Sequence, residues 1–350
     1  MNDCLIVGLI IIDSILAIGR GQRQLILGDR YTGKTTIYLS LILKCNIMNI
    51  LGSIDGLGSR RIFGLYVGIN QNLSKLSKLI YLVGIGNWFS LILATHSTSS
   101  SLLSFMIPLI AVSISERLRD RGYDICICFD DFSKHSKAYR QCSLLLNKIP
   151  SRDAYPADIF NIHSSILERC GKLNSSYFGG SVTALPIIET VNADITEYIA
   201  TNVISITDGQ FYLNRYLFMN SNKPAIDSGL SVSRIGSNAQ CKLMKVISLG
   251  LKNELTNYRL EDVTIDSLDF MKLYSLNIIF YQDYLLIYSI EMALLLLFFY
   301  RLGILFNNSF IIHRLLYLLS MDYIYITYLI FISKCSYNFY FYSFIVFILK

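Results

Sequence analysis

Gly28-Asp29-Arg30-Tyr31-Thr32-Gly33-Lys34-Thr35 is the stretch on which the reading of this 350-residue chain turns. It has the form G-x-x-x-x-G-K-[ST], follows the apolar run at 24–27 and precedes a helix-compatible run at 36–43. A chance glycine turn is the alternative, and the strand before and helix after count against it. In a phosphate loop the glycines let the backbone wrap the phosphates so that successive N–H groups point inward, and the helix N-terminus adds its positive end. Gly28, Asp29, Arg30, Tyr31, Thr32, Gly33, Lys34 and Thr35 are therefore the expected nucleotide-binding residues. Lys34 is expected to reach the terminal phosphates, and the Thr35 hydroxyl to bind Mg²⁺.

Working outward, a phosphate loop needs an acidic residue at the end of a neighbouring strand to hold the water shell of the metal. Asp124-Ile125-Cys126-Ile127-Cys128-Phe129-Asp130-Asp131 has that form, an apolar run ending in carboxylates, with Asp130 as the expected second metal residue. Hydrolysis needs one more group, which positions the attacking water and takes its proton. The run at 62–69, expected to lie close to the phosphate-loop strand, ends in Asn70-Gln71-Asn72. These are all amides, which orient water and accept no proton, so the chain is expected to bind a triphosphate and turn it over poorly.

Short apolar runs alternating with Gly, Ser, Asn and Asp continue to about residue 260, the rhythm of a parallel α/β sheet. Beyond it, Gly and Pro nearly vanish and long Leu/Ile/Tyr/Phe stretches read as helices. Two units are expected: residues 1–260, a nucleotide-binding α/β domain, and residues 261–350, an apolar all-α region. Windows at 284–306 and 323–349 are long enough to span a bilayer, but Glu291, Arg301 and Lys334 would be costly near its centre. Membrane insertion of this region stays open. A third window, 79–114, is broken by Asn87, Thr95, His96 and Pro108 and fits helix, buried strand and second helix better than a span.

Composition narrows the class. Hydrophobic residues make up 53% and charged residues 16%, with a mean hydropathy of +0.46, which excludes a disordered chain. The net charge of +6 is scattered, without a basic run to mark a nucleic-acid arm. Eight cysteines show no metal-ligand spacing, so buried free thiols are expected rather than zinc or a disulfide framework. The apolar N-terminus carries Asp3 and Asp13, lacks a basic n-region and does not read as a signal peptide. The bias toward Ile, Leu, Tyr, Phe, Asn and Lys hints at an AT-rich organellar genome.

The motifs in order resemble the alpha subunit of F-type ATP synthases. Ile18-Gly19-Arg20-Gly21-Gln22-Arg23 and the phosphate loop are followed by Asp130-Asp131-Phe132-Ser133-Lys134, Ala138-Tyr139-Arg140-Gln141 and Arg152-Asp153-Ala154-Tyr155-Pro156. Gly179-Gly180-Ser181-Val182-Thr183-Ala184-Leu185-Pro186, TNVISITDGQ at 201–210 and Gly229-Leu230-Ser231-Val232-Ser233-Arg234-Ile235-Gly236-Ser237 complete the series. The resemblance covers about residues 5–260 and is closer to alpha than to the catalytic beta subunit.

That resemblance implies a RecA-like domain in an alternating hexamer with beta subunits around a rotating gamma shaft, peripheral to the mitochondrial inner membrane on its matrix side. No nucleic acid is expected. It implies ATP with Mg²⁺ in a non-catalytic site, and Gln71 falls where the family has glutamine in place of the catalytic glutamate of beta. It implies that Arg234 stabilises charge on the phosphoryl group transferred in a neighbouring beta site, with Ser205 and Val232 facing that same boundary. Lys223-Pro224 stands where the family has Arg-Pro near the adenine, Tyr31 replaces a usual glutamine, and Gln282 corresponds to an adenine-side glutamine. The family's alpha subunit begins with a β-barrel that this sequence is expected to lack; another polypeptide supplies it, the assembly differs, or the sequence is a fragment. Two further readings are a related ring motor and a membrane-associated or degenerate organellar assembly protein that keeps an ATP-binding fold. No basic, aromatic-lined loop supports a nucleic-acid translocase.

Overall fold

The structure, a computed structural model, describes residues 3–54, 61–84, 90–219 and 223–240, with Lys245, Ser248 and Lys252. The chain opens with β1 (Cys4–Leu5), α1 (Ile10–Ile15) and β2 (Ile18–Gly19). The apolar runs then form β3 (Leu25–Gly28), α2 (Lys34–Ile54), β4 (Ile62–Gln71), α3 (Leu73–Gly84), β5 (Ser90–His96) and α4 (Ser101–Arg119). Next come β6 (Asp124–Asp130), α5 (Phe132–Leu145), α6 (Ile159–Glu168), β7 (Ser181–Glu189) and α7 (Tyr198–Ile206). The described chain closes with β8 (Gly209–Leu213), α8 (Arg215–Met219), β9 (Val232–Ser233) and α9 (Gly236–Ala239).

β1 and β2 form a small antiparallel pair. The main sheet has the order β5-β4-β6-β7-β3-β8-β9. All its pairings are parallel except that of the short edge strand β9 with β8. Strands buried on both faces need near-continuous apolar sequence, and every residue of β3 and of β6 is buried. Leu25, Leu27, Leu65, Val67, Ile125, Ile127, Phe129, Val182 and Ala184 form one core with Ile107, Ala111 and Val112 of α4, Phe132 of α5, and Ile166 and Leu167 of α6. Asn49 of α2 clasps the start of β4, accepting from the Ile62 N–H at 2.9 Å and donating to its carbonyl at 2.7 Å.

The expected α/β parallel sheet is the one formed, and the broken window at 79–114 is α3, β5 and α4. By length and composition α4 alone resembles a membrane span among the described residues. It packs its Ile107, Ala111 and Val112 into the core of the sheet instead.

One expectation is corrected. β4 is not beside the phosphate-loop strand: β6 and β7 lie between β4 and β3, and β7 lies between β6 and β3. Helical crossovers free parallel strands from pairing in chain order, and the late strand β7 fills the place beside β3. Parallel register still brings the carboxyl ends of β3, β7, β6 and β4 to one edge. Gly28 pairs with Glu189 and Gly68 with Asp130. This is where open parallel sheets bind ligands. The boundary at 260, the helical region at 261–350 with its apolar windows, and Gln282 lie outside the described residues.

Candidate functional site

The phosphate loop runs from the end of β3 into α2, with Tyr31 and Gly33 at positive φ, 63° and 93°. Gly28 permits the tight exit from the strand: a Cβ there would stand 2.8 Å from Leu213 Cβ and 2.9 Å from Thr32 Oγ1. Thr32 donates to the Asp29 carbonyl at 2.8 Å. The Asp29 carboxylate accepts from Thr190 Oγ1 at 2.7 Å and the Ala193 N–H at 3.0 Å, which ties the loop to the end of β7. Lys34 Nζ donates to the carbonyls of Gly28, at 2.8 Å, and Asp29. Burial lowers its pKa, while the carboxylates of Glu189, Asp131, Asp130 and Asp29 work against the fall and favour the ammonium. Arg30 pairs with Glu189 at 3.1 Å, and Tyr31 projects almost fully into solvent.

Beside the loop, Asp130 gathers a cluster. Its Oδ2 accepts from Thr35 Oγ1 at 3.3 Å, Tyr66 OH at 2.6 Å and Lys75 Nζ at 2.9 Å. Burial pushes its carboxyl up, but the Lys75 ammonium and the hydrogen bonds from Tyr66 and Lys75 outweigh that and hold it below the usual carboxylate range. Tyr66 is pushed well above its ordinary value, by burial first and then by Asp130. Asp131 caps α5 by accepting from the Lys134 N–H, and burial raises its pKa to about 6. Gln71 is 1% exposed, and its Nε2 donates to the Asp130 carbonyl at 2.7 Å. Thr35 and Asp130 are the expected metal residues brought together here. No group of three or more His, Cys, Asp or Glu suited to a metal occurs among the described residues.

The structure also brings Lys223 near the loop. Its ammonium lies 5.2 Å from the centre of the Phe218 ring. A Cβ on Gly33 would stand 4.0 Å from the edge of that ring. Pro224 is buried.

Arg234 lies elsewhere. Ser233 pairs with Gly209, whereas Gly28 pairs with Leu213, so Arg234 follows the amino end of β8 while its own phosphate loop stands at the carboxyl end, roughly 13 Å along that strand. Its side chain is exposed, as are Ser205 and Val232. The Arg234 N–H donates to the Asp208 carbonyl at 3.0 Å. Gln22 bridges Gln24 and Ser233, at 2.9 and 3.2 Å, and Ser233 Oγ donates to the Ala17 carbonyl at 2.7 Å.

Five residues that the structure places at the site, Glu189, Thr190, Tyr66, Lys75 and Phe218, are not among those expected from the sequence. Glu189 ends an apolar run, the same signal that marks Asp130, and was there to be used. Thr190, Tyr66 and Lys75 carry no local signal. Of the expected buried thiols, Cys45, Cys126, Cys128 and Cys170 are buried and free, while Cys4 and Cys142 are partly exposed.

Residues 8–233 match the model of the ATP synthase alpha/beta family, nucleotide-binding domain. ATP synthase subunit alpha of Clostridium botulinum (strain Eklund 17B / Type B) is 44% identical over 261 residues, which are 74% of this chain and 49% of that protein. The chain thus spans about half the length of this curated relative. The relative is bacterial, and a bacterium has no mitochondrion; the expected seat on the mitochondrial inner membrane is corrected on that finding.

Proposed function

The chain belongs to the ATP synthase alpha/beta family through its nucleotide-binding domain, and on that premise we propose that it is an alpha-type subunit that holds ATP without consuming it and lends Arg234 to a neighbouring catalytic site. The observation that carries this reading is Gln71. Its buried amide stands against the Asp130 carbonyl at the edge where the triphosphate would lie. An amide positions water but takes no proton, so the base needed for hydrolysis is missing at that strand end.

The loop residues divide the work of binding. Lys34 turns from its carbonyl partners to the terminal phosphates, and the N–H groups at the start of α2 face them. Phe218 and Lys223 offer an aromatic face and a cation near Gly33, suited to the base of the nucleotide. Mg²⁺ is the ion such a site ordinarily carries, and Thr35 supplies one suitable oxygen. Asp130 would supply a second through Oδ1, because Thr35, Tyr66 and Lys75 all donate to its Oδ2. Thr35 and Asp130 are the residues that would hold the ion beside the triphosphate.

Arg234 serves a partner in this reading because it stands at the opposite end of β8 from its own loop and points into solvent. The partner is a beta-type subunit, in a ring of alternating alpha and beta chains around a gamma shaft, on a membrane complex that couples proton flow to ATP synthesis. In the assembled complex, Arg234→Ala should leave nucleotide occupancy of this chain intact and lower the partner's turnover by about 10³. Unchanged turnover would refute the role. The isolated chain should bind ATP and show no hydrolysis above background in a phosphate-release assay.

A further inference from the structure

We infer that Tyr66 and Lys75 are positioning residues that hold Asp130 to a single open oxygen, and that this one-oxygen carboxylate makes the site select Mg²⁺ over the larger Ca²⁺. The inference rests on the reading of the phosphate loop as a triphosphate site with its ion at Thr35 and Asp130.

Three donors converge on one oxygen of Asp130. Tyr66 OH at 2.6 Å, Lys75 Nζ at 2.9 Å and Thr35 Oγ1 at 3.3 Å all meet Oδ2, and none of the described residues donates to Oδ1. The arrangement is built into the sheet. β4 and β6 run in parallel register, Tyr66 beside Cys128 and Gly68 beside Asp130, so Tyr66 and Asp130 share one face of the sheet. Gly68 leaves room for the tyrosine ring to lean toward the carboxylate: a Cβ there would stand 3.1 Å from Tyr66 Cε1. The ring also packs against Tyr38 of α2, with centres 5.8 Å apart, and Tyr66 is 2% exposed. A hydroxyl on so enclosed a ring cannot follow a turning carboxylate, so it pins Oδ2 in place. Lys75, in the first turn of α3, adds a charge-assisted bond to the same oxygen. Thr35 gives its proton there too, which leaves the lone pairs of its Oγ1 for the ion.

With its lone pairs taken, Oδ2 is closed and Oδ1 alone is left to the ion. Mg²⁺ forms a tight octahedron, keeps several of its waters and needs no more than one oxygen from such a carboxylate. Ca²⁺ takes up to about eight oxygens at longer distances and gains from a carboxylate that binds through both. Closing Oδ2 withholds that second contact from Ca²⁺ and costs Mg²⁺ nothing.

The full chain should be titrated with ATP by equilibrium dialysis at fixed ionic strength, in excess MgCl₂ and in excess CaCl₂. The readout is the ratio of the two dissociation constants, in which a general loss of affinity cancels. The wild type should favour Mg²⁺ by at least about tenfold. Tyr66→Phe, which keeps the ring and removes the donor, should narrow the ratio at least about threefold, and adding Lys75→Met should bring the two ions within about threefold of one another. Lys75→Arg should keep the wild-type ratio. A wild type indifferent to the ion, or a Tyr66→Phe chain with the wild-type ratio, would overturn the inference and leave the triphosphate site standing. Lys34→Ala separates the two ideas: if it binds ATP as the wild type does in both salts, the site reading itself fails.

Discussion

At the residue scale, Lys34 and Gln71 carry separate halves of the proposal. Lys34 is half enclosed by carbonyls and carboxylates that favour its ammonium, which keeps the charge in place for phosphate. Lys34→Ala should weaken ATP binding by about 100-fold, measured by isothermal titration, because a charge-assisted contact to phosphate is removed and nothing nearby replaces it. Gln71 was legible in the sequence as an amide at a strand end. Its contact with Asp130 was not, because the two residues stand 59 positions apart. The same holds for Lys75 and Tyr66, whose types carry no local signature of a site. They converge on Asp130 only because β4, α3 and β6 share one edge of the sheet.

At the element scale, the segment around β9 depends on close backbone approach. A Cβ on Gly236 would stand 1.7 Å from the Ala17 carbonyl oxygen and 2.6 Å from its carbon, both backbone atoms, and 2.5 Å from Ser233 Oγ. Gly236→Ala should therefore push β9 and Arg234 off the start of β2. Partner turnover in the assembled complex should fall while ATP binding by this chain, at the far end of β8, changes by less than about threefold. The glycine in this run is visible in the sequence, but the carbonyl it must clear comes from more than 200 residues earlier. α5 gives a second test at this scale. Asp131→Ala removes the cap that accepts from the Lys134 N–H and should cost about 1 kcal/mol in urea unfolding. The carboxyl so removed is one that burial had raised to about 6, so the loss should grow as pH falls from about 6 toward 4, where the folded chain takes up a proton that the unfolded chain does not.

At the scale of the whole molecule, buried titratable groups set opposing slopes of stability with pH. The facing ring nitrogens of His135 and His163 lie 3.2 Å apart in the core; burial lowers His135 to about 4, and burial together with His135 holds His163 well below its ordinary value. Between pH 6.5 and about 4 the unfolded chain takes up protons that the folded chain refuses, so this pair weakens the fold as pH falls. Asp13 and Asp131, raised by burial to about 7 and about 6, act in the opposite sense over much of that window. The share of the pair is isolated by difference: His135→Gln with His163→Leu should gain on the wild type as pH drops from 6.5 to 4, by roughly 3 kcal/mol or more, read from urea midpoints. A constant difference would mean that the histidines titrate normally. By itself the sequence determined the phosphate loop, the strand-and-helix alternation and the family, because glycine turns and apolar periodicity are local properties of the chain. Only the tertiary structure decided the strand order, the Lys75–Asp130 pair and the separation of Arg234 from its own loop, because crossovers pair strands distant in sequence and the contacts at their ends exist only once the sheet is assembled.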